Sequence, residues 1–483
     1  MTIEEQDKRD DAMSLSDTDM DGGKSVSAGP EVTLEKIERE SHGSLHRMVW
    51  MLAWPSVVTM LLQTLNSFMD RGFVGSLGPD SLAAVGVGGQ LMFLLFSVGM
   101  SISIGATALV ARFTGAGEKD QASMAANQSL WIAGVASIVC LALMWPLRDI
   151  LVTAMGVNAD ARHLTIQYIT ITLLGVPALF VMLILGGVFR GLGDTLTPLY
   201  VMIGVNVIHL GGDYLLIFGH YGFPKLGLTG GAMALAASQV IGALLYLFAL
   251  RSSVLPGVLR RARRPHWDWA QRILRIGIPA ALQNLSRIVS MLAFTGVLAR
   301  TGDGTAAVAA LTIGLTSESI AFMPGFAFST AAGTLTGQNL GAKNPERAER
   351  AAWAALQQGL AIMIVMGAVF FIFARQFALI FTQDPRVIEL TVDYLRISAL
   401  SEPFLAFGMI LTGALNGAGD TKAPAWASIV TMWGIRLPLA YCAAHLWGFG
   451  AVGAWWAMAV STMAGGVAAY AIFKWGRWKK VKV

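Results

Sequence analysis

The chain has 483 residues, of which 55% are hydrophobic and only 13% are charged. Because a soluble domain carries about 25% charged residues, this composition excludes a soluble globular protein, a disordered protein and a secreted disulfide-rich domain. Cys140 and Cys442 lie in apolar stretches, so neither a disulfide framework nor a zinc motif is expected. The composition predicts a polytopic membrane protein. Its net charge of +5 is therefore interpreted by how the basic residues are distributed between the two sides of the membrane, and it does not indicate nucleic-acid binding.

The first 44 residues form a polar segment unlike the rest of the chain. Residues 1–47 hold 12 of the 30 acidic residues, together with many serines and glycines. This composition predicts a disordered acidic tail over residues 1–44, in which the one expected helix is a short one from Pro30 to Glu40. No short apolar stretch followed by a cleavage site is present, so no signal peptide is expected.

From Met48 onward, long apolar runs alternate with short polar turns. A membrane-spanning helix needs about 20 apolar residues, and the runs lack the period-two alternation of barrel strands. We therefore predict an all-α integral membrane protein with twelve transmembrane helices. The runs lie at about residues 48–72, 82–110, 124–147, 164–189, 196–218, 228–250, 273–299, 306–336, 351–374, 392–415, 423–445 and 450–473.

Lysine and arginine are unevenly distributed between the turns. If the N-terminal tail lies inside the cell, the inner turns and the C-terminal tail carry 19 of these residues, and the outer turns and flanks carry 8. This bias predicts that both termini are cytoplasmic. The densest cluster, Arg260–Arg264, falls in a basic cytoplasmic linker over residues 251–272, and residues 475–483 form a basic C-terminal tail.

The sequence contains an internal repeat. Residues 190–198 (RGLGDTLTP) correspond to residues 416–424 (NGAGDTKAP), and the Gly-Ala pair at 115–116 corresponds to the pair at 341–342. Both offsets are 226 residues, and two separate motifs at one offset indicate duplicated halves. In this interpretation the Gly-x-Gly-Asp-Thr segment is a tight turn between two helices rather than a phosphate-binding turn, because no strand precedes it. Its aspartates, Asp194 and Asp420, are predicted to cap the helices that follow.

Each half contains six predicted helices, so both halves begin on the same side of the membrane. We predict two six-helix lobes, residues 45–250 and residues 273–474, related by a pseudo-two-fold axis along the membrane normal. A central cleft then lies between the lobes. This arrangement suits transport by alternating access, in which one lobe rocks against the other.

Charged residues inside membrane helices are costly, and they therefore indicate function. Asp70 and Asp213 both fall in the outer half of the N-terminal lobe, in the first and fifth helices. His209 lies four residues before Asp213 on the same helix face, and Asn206 lies one turn before His209. These four residues are predicted to form one polar pocket. A carboxyl group among apolar atoms resists ionisation, so such a pocket can take up a proton on one side and release it on the other.

Four further charges fall near the middle of helices in the C-terminal lobe. They are Arg287, Glu318, Glu402 and Arg436. Two positive and two negative groups can pair as a structural or gating network, or they can contribute to a substrate cleft, and the sequence leaves both interpretations open. Pro55 is expected to kink the first helix about four turns before the carboxyl in that helix.

Several segments together resemble the multidrug and toxic compound extrusion (MATE) family over about residues 45–475. The segments are the first helix with Pro55, Asp70, Gly75 and Gly78, the string Leu82–Gly86, both Gly-x-Gly-Asp-Thr turns, the string Gly337–Ala342, and Asp213 ahead of Ile217–Gly219. The strings Met323–Gly325 and Arg436–Tyr441 look like the DinF-like, mostly proton-coupled branch of that family.

The resemblance implies an antiporter in the bacterial inner membrane that exchanges cations for amphiphilic compounds, many of them cationic or aromatic. No cofactor or metal is expected, the energy source is a proton gradient, and the protein acts as a monomer. Asp70 and Asp213 match the two coupling carboxylates of the N-terminal lobe, whereas His209 stands where the family usually has Asn. Leu235 replaces a usual Thr. Arg287 replaces a Glu of the sodium-coupled branch, which argues against Na⁺.

The sequence gives weaker support to two other functional classes. A flippase for a lipid-linked oligosaccharide precursor requires a large cationic cavity for a pyrophosphate headgroup, and Arg287 and Arg436 are the only central arginines evident from the sequence. An intramembrane enzyme has no support, because no metalloprotease, serine-hydrolase or paired aspartate motif occurs within the predicted helices.

Overall fold

Most of the chain is visible in the computed structural model. It describes residues 43–156, 158–251, 253, 255, 257–260 and 264–481. The predicted acidic tail, apart from Gly43 and Ser44, lies outside the described residues, as does most of the basic cluster of the linker. The described part of the chain is almost entirely helical.

Twelve long helices make up most of the described residues, and each is long and apolar enough to cross a membrane. They are α1 (Leu45–Gly75), α2 (Pro79–Gly115), α3 (Lys119–Ala154), α4 (Ala159–Gly191), α5 (Leu196–Phe218), α6 (Leu228–Arg251), α7 (Trp267–Ala299), α8 (Gly304–Gly341), α9 (Pro345–Phe381), α10 (Pro385–Gly417), α11 (Lys422–Leu446) and α12 (Gly450–Trp475). The predicted number and order of the helices are confirmed. Several helices extend beyond the apolar runs, because polar residues continue the helical hydrogen bonds past the apolar segment.

Helix α11 differs from the regular helix that its apolar run predicts. It contains two π-helical stretches, Val430–Arg436 and Cys442–Leu446. A π-helical turn inserts an extra residue into the helical repeat and rotates the side chains that follow. The angular position of Arg436 is therefore set by backbone geometry that hydrophobic periodicity does not reveal.

The repeated turns begin helices α5 and α11, and one of the two predicted caps is present. One carboxylate oxygen of Asp194 accepts hydrogen bonds from the backbone N–H groups of Leu196 and Thr197 at 3.1 and 2.9 Å, and the other accepts from the Thr197 hydroxyl at 2.6 Å. For Asp420 the described structure contains no such bond. The neighbouring Thr421 instead donates to the backbone oxygen of Ile276 at 2.8 Å, so this turn is fixed by packing against α7.

The internal repeat is visible as matching contacts. In the N-terminal lobe, the Ser103 hydroxyl of α2 donates to the backbone oxygen of Leu183 of α4 at 2.7 Å. In the C-terminal lobe, the Ser329 hydroxyl of α8 donates to the backbone oxygen of Met409 of α10 at 2.8 Å. Donor and acceptor are each displaced by the same 226 residues as the sequence motifs. The second and fourth helices of both lobes therefore pack in the same way.

The two lobes exchange contacts through their first helices. Helix α1 packs against α8, where the rings of Trp50 and Phe328 lie 6.2 Å apart. Helix α7 packs closely against α2: a Cβ atom at Gly105 of α2 would lie only 2.7 Å from the backbone oxygen of Ile273 of α7. The first helix of each lobe thus packs on the second helix of the other, as a two-fold relation requires.

At one end of the molecule the two lobes touch directly. A Cβ atom at Gly115 of α2 would overlap the backbone oxygen of Gln338 of α8, and one at Gly341 would overlap the backbone oxygen of Arg112. The Gln338 amide also donates to the backbone oxygen of Gly191 across the same contact, at 2.9 Å. The distribution of basic residues assigns this end to the cytoplasm. The glycines therefore permit a tight closure at the predicted inner end.

At the opposite end, Arg386 donates two hydrogen bonds to the Asp303 carboxylate, at 3.0 and 2.6 Å. These bonds hold the pKa of Asp303 below its usual value. Their contribution to the free energy of unfolding is therefore fully present at pH values above the unfolded-state pKa. It is lost as the pH falls through the folded-state pKa. Both groups are exposed, so we expect Asp303→Asn to lower Tm only slightly at pH 7. The two melting curves should converge in acid. A difference that grew as the pH fell would contradict this interpretation.

Candidate coupling site and central cleft

Helices α1 and α5 bring three ionisable side chains together inside the N-terminal lobe. One ligand atom each of Asp70, His209 and Asp213 lies within 4.8 Å of the other two. Nε2 of His209 is 3.5 Å from Oδ2 of Asp213, as the four-residue spacing on one helix face predicts. The structure therefore places these three predicted residues in one group.

Asn66 belongs to the same group, and the sequence analysis did not identify it. Its amide nitrogen lies 2.9 Å from Nδ1 of His209. If Asn66 donates to Nδ1, the ring proton is on Nε2 and points at Asp213. Asn66 lies four residues before Asp70 on α1, and this spacing was the signal that could have revealed it. His209 thus links the polar face of α1 to the buried carboxyl of α5.

Asn206 is buried on α5, one turn before His209, and its amide nitrogen has no hydrogen-bond partner in the described structure. The amide contact to the His209 ring comes from Asn66 of α1. The place of Asn206 in the predicted four-residue pocket stays a prediction.

Asp213 is the most enclosed member of the group. Its side chain is fully buried, and neither carboxylate oxygen has a hydrogen-bond partner among the described residues. It faces Gly231 of α6, where a Cβ atom would lie 3.6 Å from Oδ1. A buried carboxylate without a hydrogen-bond partner costs several kcal/mol inside a membrane. The energy of this part of the lobe therefore depends strongly on whether the carboxyl carries a proton.

A cleft of about 720 Å³ lies between the two lobes. Its volume is within the range of small-molecule binding sites. Its wall is rich in flexible and aromatic apolar side chains from both lobes. These include Met60, Met100, Met182, Met202, Met409, Met432, Phe93, Phe96, Phe322, Phe326 and Phe404. Such a wall can adapt to apolar molecules of different shape.

Every charged side chain that lines the cleft in the described structure is an arginine. The three are Arg190 at the end of α4, Arg287 in the middle of α7 and Arg436 in α11. No aspartate or glutamate of the described residues contributes to the wall. The cleft is therefore positively charged, which does not match the cationic substrates that the family resemblance implies.

The four C-terminal charges do not form the ion-pair network that was one of the two interpretations. No salt bridge joins any two of them within 4 Å in the described structure. Arg287 and Arg436 line the cleft, whereas Glu318 and Glu402 are absent from its described wall. The Tyr394 hydroxyl donates to Glu318 at 3.0 Å. Glu402 packs against α9. The four groups lie on four different helices, α7, α8, α10 and α11, so the packing of each helix separately decides whether its charge reaches the cleft.

Pro55 lies inside α1, nearer the predicted inner end, and is buried. Its backbone oxygen accepts a hydrogen bond from the Thr59 hydroxyl at 2.8 Å. Proline lacks an N–H group, so the helix has one backbone hydrogen bond fewer at this turn. The gating role of Pro55 stays a prediction.

A comparison with known protein families agrees with the duplicated two-lobe architecture. The family model described as MatE matches residues 55–215 and 279–442 of the chain, one stretch in each lobe. The chain belongs to the MatE family. Relatives that span both lobes are named as multidrug resistance proteins.

Two of these relatives show how far the MatE similarity extends. A probable multidrug resistance protein NorM from Thermotoga maritima is 30% identical over 457 residues, which cover 92% of this chain and 95% of that protein. Multidrug resistance protein PmpM from Pseudomonas aeruginosa is 28% identical and covers 81% of this chain and 82% of its own length. The similarity therefore spans both lobes.

Solved MatE-like structures share the fold. An outward-facing MATE multidrug resistance transporter of the MOP superfamily has a TM-score of 0.84 and 26% identity, covering 92% of this chain and 99% of its own. A MOP superfamily transporter from Pyrococcus furiosus has the same TM-score and identity, with 92% and 97% coverage. The report of that structure describes a reversed polarity of its binding pocket and suggests a different function for it.

In this MatE chain, the polar group of the N-terminal lobe and the cleft are separate sites. Asp70, His209 and Asp213 are absent from the described cleft wall. The same two helices nevertheless serve both sites, because α1 also contributes Gln63 to the wall and α5 contributes Met202. If a change in the protonation of the group shifts α1 or α5, the wall of the cleft shifts with it.

Proposed function

We propose that this protein is a secondary antiporter that exports amphiphilic small molecules in exchange for protons by alternating access. It acts as a monomer in a bacterial inner membrane, with both termini in the cytoplasm. Asp70, His209 and Asp213, with Asn66, form the proton-coupling site, and the cleft between the lobes binds the exported molecule. The family supports the transport class, and the geometry of the two sites supports the division of roles.

The observation that carries the proposal is the environment of Asp213. Its carboxyl is buried without a hydrogen-bond partner in the described structure, beside a second carboxyl and an imidazole. A proton needs no coordination shell, whereas a hard metal cation prefers six or more oxygen ligands. The three ligand atoms of this group include one nitrogen, so the set suits proton transfer better than a bound metal ion.

Proton entry supplies sufficient energy for export. A gradient of one pH unit is worth about 1.4 kcal/mol per proton, and moving one charge through 100 mV is worth about 2.3 kcal/mol. The structure is closed at the predicted inner end, where the glycine contacts of α2 and α8 lie. In this state a proton can reach the group from the outside, and its arrival removes the cost of a buried charge.

The coupling ion is tested by exchanging gradients in the same proteoliposomes. We expect a luminal acid gradient to drive uptake of a fluorescent amphiphilic dye, because inverted molecules then exchange luminal protons for external dye. A Na⁺ gradient at equal pH on both sides should leave uptake at the level of protein-free liposomes. Uptake driven by Na⁺ alone would contradict proton coupling, and uptake that ignored both gradients would contradict antiport.

A lipid flippase stays the second candidate, because the cleft contains a third arginine that the sequence analysis did not place there. Arg190 joins Arg287 and Arg436 in the described wall, which makes the cavity more cationic than expected. A flippase moves an anionic headgroup through such a cavity while the lipid tail stays in the bilayer. The movement of an anionic lipid between leaflets distinguishes this function from export of a free molecule.

A further inference from the structure

We propose that the cleft selects amphiphilic anions, in which a carboxylate, sulfonate or phosphate group is attached to an aromatic or aliphatic body. Arg287 and Arg436 on its C-terminal wall bind the anionic group, and the phenylalanine and methionine side chains pack on the body. This inference rests on the proposed export function and names the substrate class of the same cleft.

The charge of the cleft supports this selectivity. Its described wall contains three arginines and no acidic side chain. Arg287 and Arg436 both line the cleft, and no carboxylate forms a salt bridge with either of them within 4 Å in the described structure. Two cations without a salt-bridge partner in a cavity of low dielectric constant attract an anion and repel a cation.

The two guanidinium groups are held in place without using all of their donors. Arg436 donates from Nε to the Ser461 hydroxyl at 2.8 Å and from Nη2 to the Thr462 hydroxyl at 3.3 Å. The Arg287 guanidinium lies 5.9 Å from the centre of the Phe322 ring. A guanidinium has five N–H donors in a planar fork that fits a carboxylate or phosphate. Several donors therefore stay available to an incoming anion.

The Glu318 carboxyl of α8 forms no salt bridge with either arginine within 4 Å in the described structure. It accepts a hydrogen bond from the Tyr394 hydroxyl at 3.0 Å and does not line the described cleft. A single carboxyl behind the wall leaves a net positive charge at the surface that a substrate meets. Arg190 at the end of α4 adds to this charge.

Selection of an anion changes the electrical balance of the transport cycle. Export of one negative charge against entry of one proton moves two positive charge equivalents inward. A one-for-one exchange of a monocation for a proton moves none. The membrane potential therefore drives anion export directly, and this gives a measurable difference between substrates of opposite charge.

Two dyes with the same ring system allow the selectivity to be measured. Carboxyfluorescein is anionic and rhodamine 6G is cationic, and both are xanthenes. We expect the purified protein in non-ionic detergent to bind carboxyfluorescein saturably in fluorescence anisotropy titrations. Rhodamine 6G should bind at least about tenfold more weakly, since it cannot form the charge-assisted hydrogen bonds that an anionic group forms with the two guanidinium groups. Equal or tighter binding of the cationic dye would overturn the proposal.

Substitutions locate the binding groups. Arg287→Gln and Arg436→Gln should each weaken carboxyfluorescein binding by about tenfold or more and leave rhodamine binding no weaker, and Arg287→Lys should retain most of the affinity for the anion. Arg396→Gln is a matched control, because this arginine lies on the exposed face of α10 and is absent from the described cleft wall. Its guanidinium lies 5.8 Å from the centre of the Phe371 ring of α9. Unchanged anion binding in both cleft variants, with the wild-type elution volume, would overturn the assignment.

Transport separates this inference from the proposed function. In proteoliposomes with an acidic lumen, a valinomycin potential that is positive inside should accelerate uptake of carboxyfluorescein but not of rhodamine 6G. Binding of the anionic dye without gradient-driven exchange would contradict antiport and support the anion site. Exchange of rhodamine alone would contradict the anion site and support antiport, and failure of both binding and exchange would overturn both.

A free organic anion and an anionic lipid headgroup offer the same chemistry. A second set of liposomes therefore contains a fluorescent phosphatidic acid, whose leaflet is read by dithionite quenching. Uptake of carboxyfluorescein without lipid movement identifies the free anion as the substrate. Lipid movement that Arg287→Gln abolishes, without dye uptake, identifies the headgroup. Lipid movement that neither cleft substitution affects, without dye uptake, would contradict the proposal.

Discussion

Asp213→Asn is expected to reduce proton-driven dye exchange to the level of protein-free liposomes while the protein still inserts and elutes as wild type. Asparagine has nearly the same shape as aspartate but cannot ionise. The position is fully buried with neither oxygen hydrogen-bonded in the described structure, so a neutral side chain fits there without new unpaired charge. The loss therefore falls on coupling rather than on folding. Dye exchange and size-exclusion elution of the same preparation measure the two effects.

Asp70→Asn should have the same effect on dye exchange, because one oxygen of each carboxyl lies within 4.8 Å of the other in the same group. His209→Asn should retain partial exchange, since an amide can still link Asn66 to the carboxyl of α5. Asp160→Asn is the matched control, an exposed aspartate in the first turn of α4. Wild-type exchange rates in Asp213→Asn would remove that residue from the mechanism. Loss of exchange in Asp160→Asn would show that the assay reports general damage.

Gly115→Ala is the second substitution with a large expected effect. The added Cβ atom would overlap the backbone oxygen of Gln338 on the opposite lobe, so the inner ends of α2 and α8 cannot close. Alanine favours an isolated helix by about 1 kcal/mol relative to glycine, which means that α2 itself is not weakened. We expect the helical circular dichroism signal to be unchanged. Proton-driven dye exchange should fall close to the level of protein-free liposomes, because the closed-inside state is no longer accessible.

The symmetric substitution Gly341→Ala should reproduce this result, since its Cβ would overlap the backbone oxygen of Arg112. Gly134→Ala on α3 is the matched control, because a Cβ there meets no atom within 4 Å. Hydrogen–deuterium exchange at the inner ends of α2 and α8 should increase in the two contact variants and stay at wild-type levels in the control. Normal exchange of dye in Gly115→Ala would show that this contact is not part of the transport cycle.

The sequence alone was sufficient for the coarse fold and for part of the coupling site. Twelve apolar runs predicted twelve helices, because a membrane helix satisfies its backbone hydrogen bonds internally and only its length and hydropathy matter. The 226-residue repeat predicted the paired lobes. The four-residue spacing of His209 and Asp213 predicted their contact, since helical geometry fixes which residues share a face.

Tertiary structure decided which way each helix face points, and hydropathy does not encode that rotation when helices are apolar all round. It placed Asn66, which the sequence analysis did not identify, against His209. It directed Arg287 and Arg436 into the cleft, and it placed Glu318 beside the Tyr394 hydroxyl instead of pairing it with an arginine. The charge of the cleft depends on these rotations, which are set by side-chain packing between helices and, in α11, by π-helical turns. The sequence therefore determined the helices, the repeat and the presence of intramembrane charges, whereas packing between the helices determined which charges meet one another and which meet the substrate.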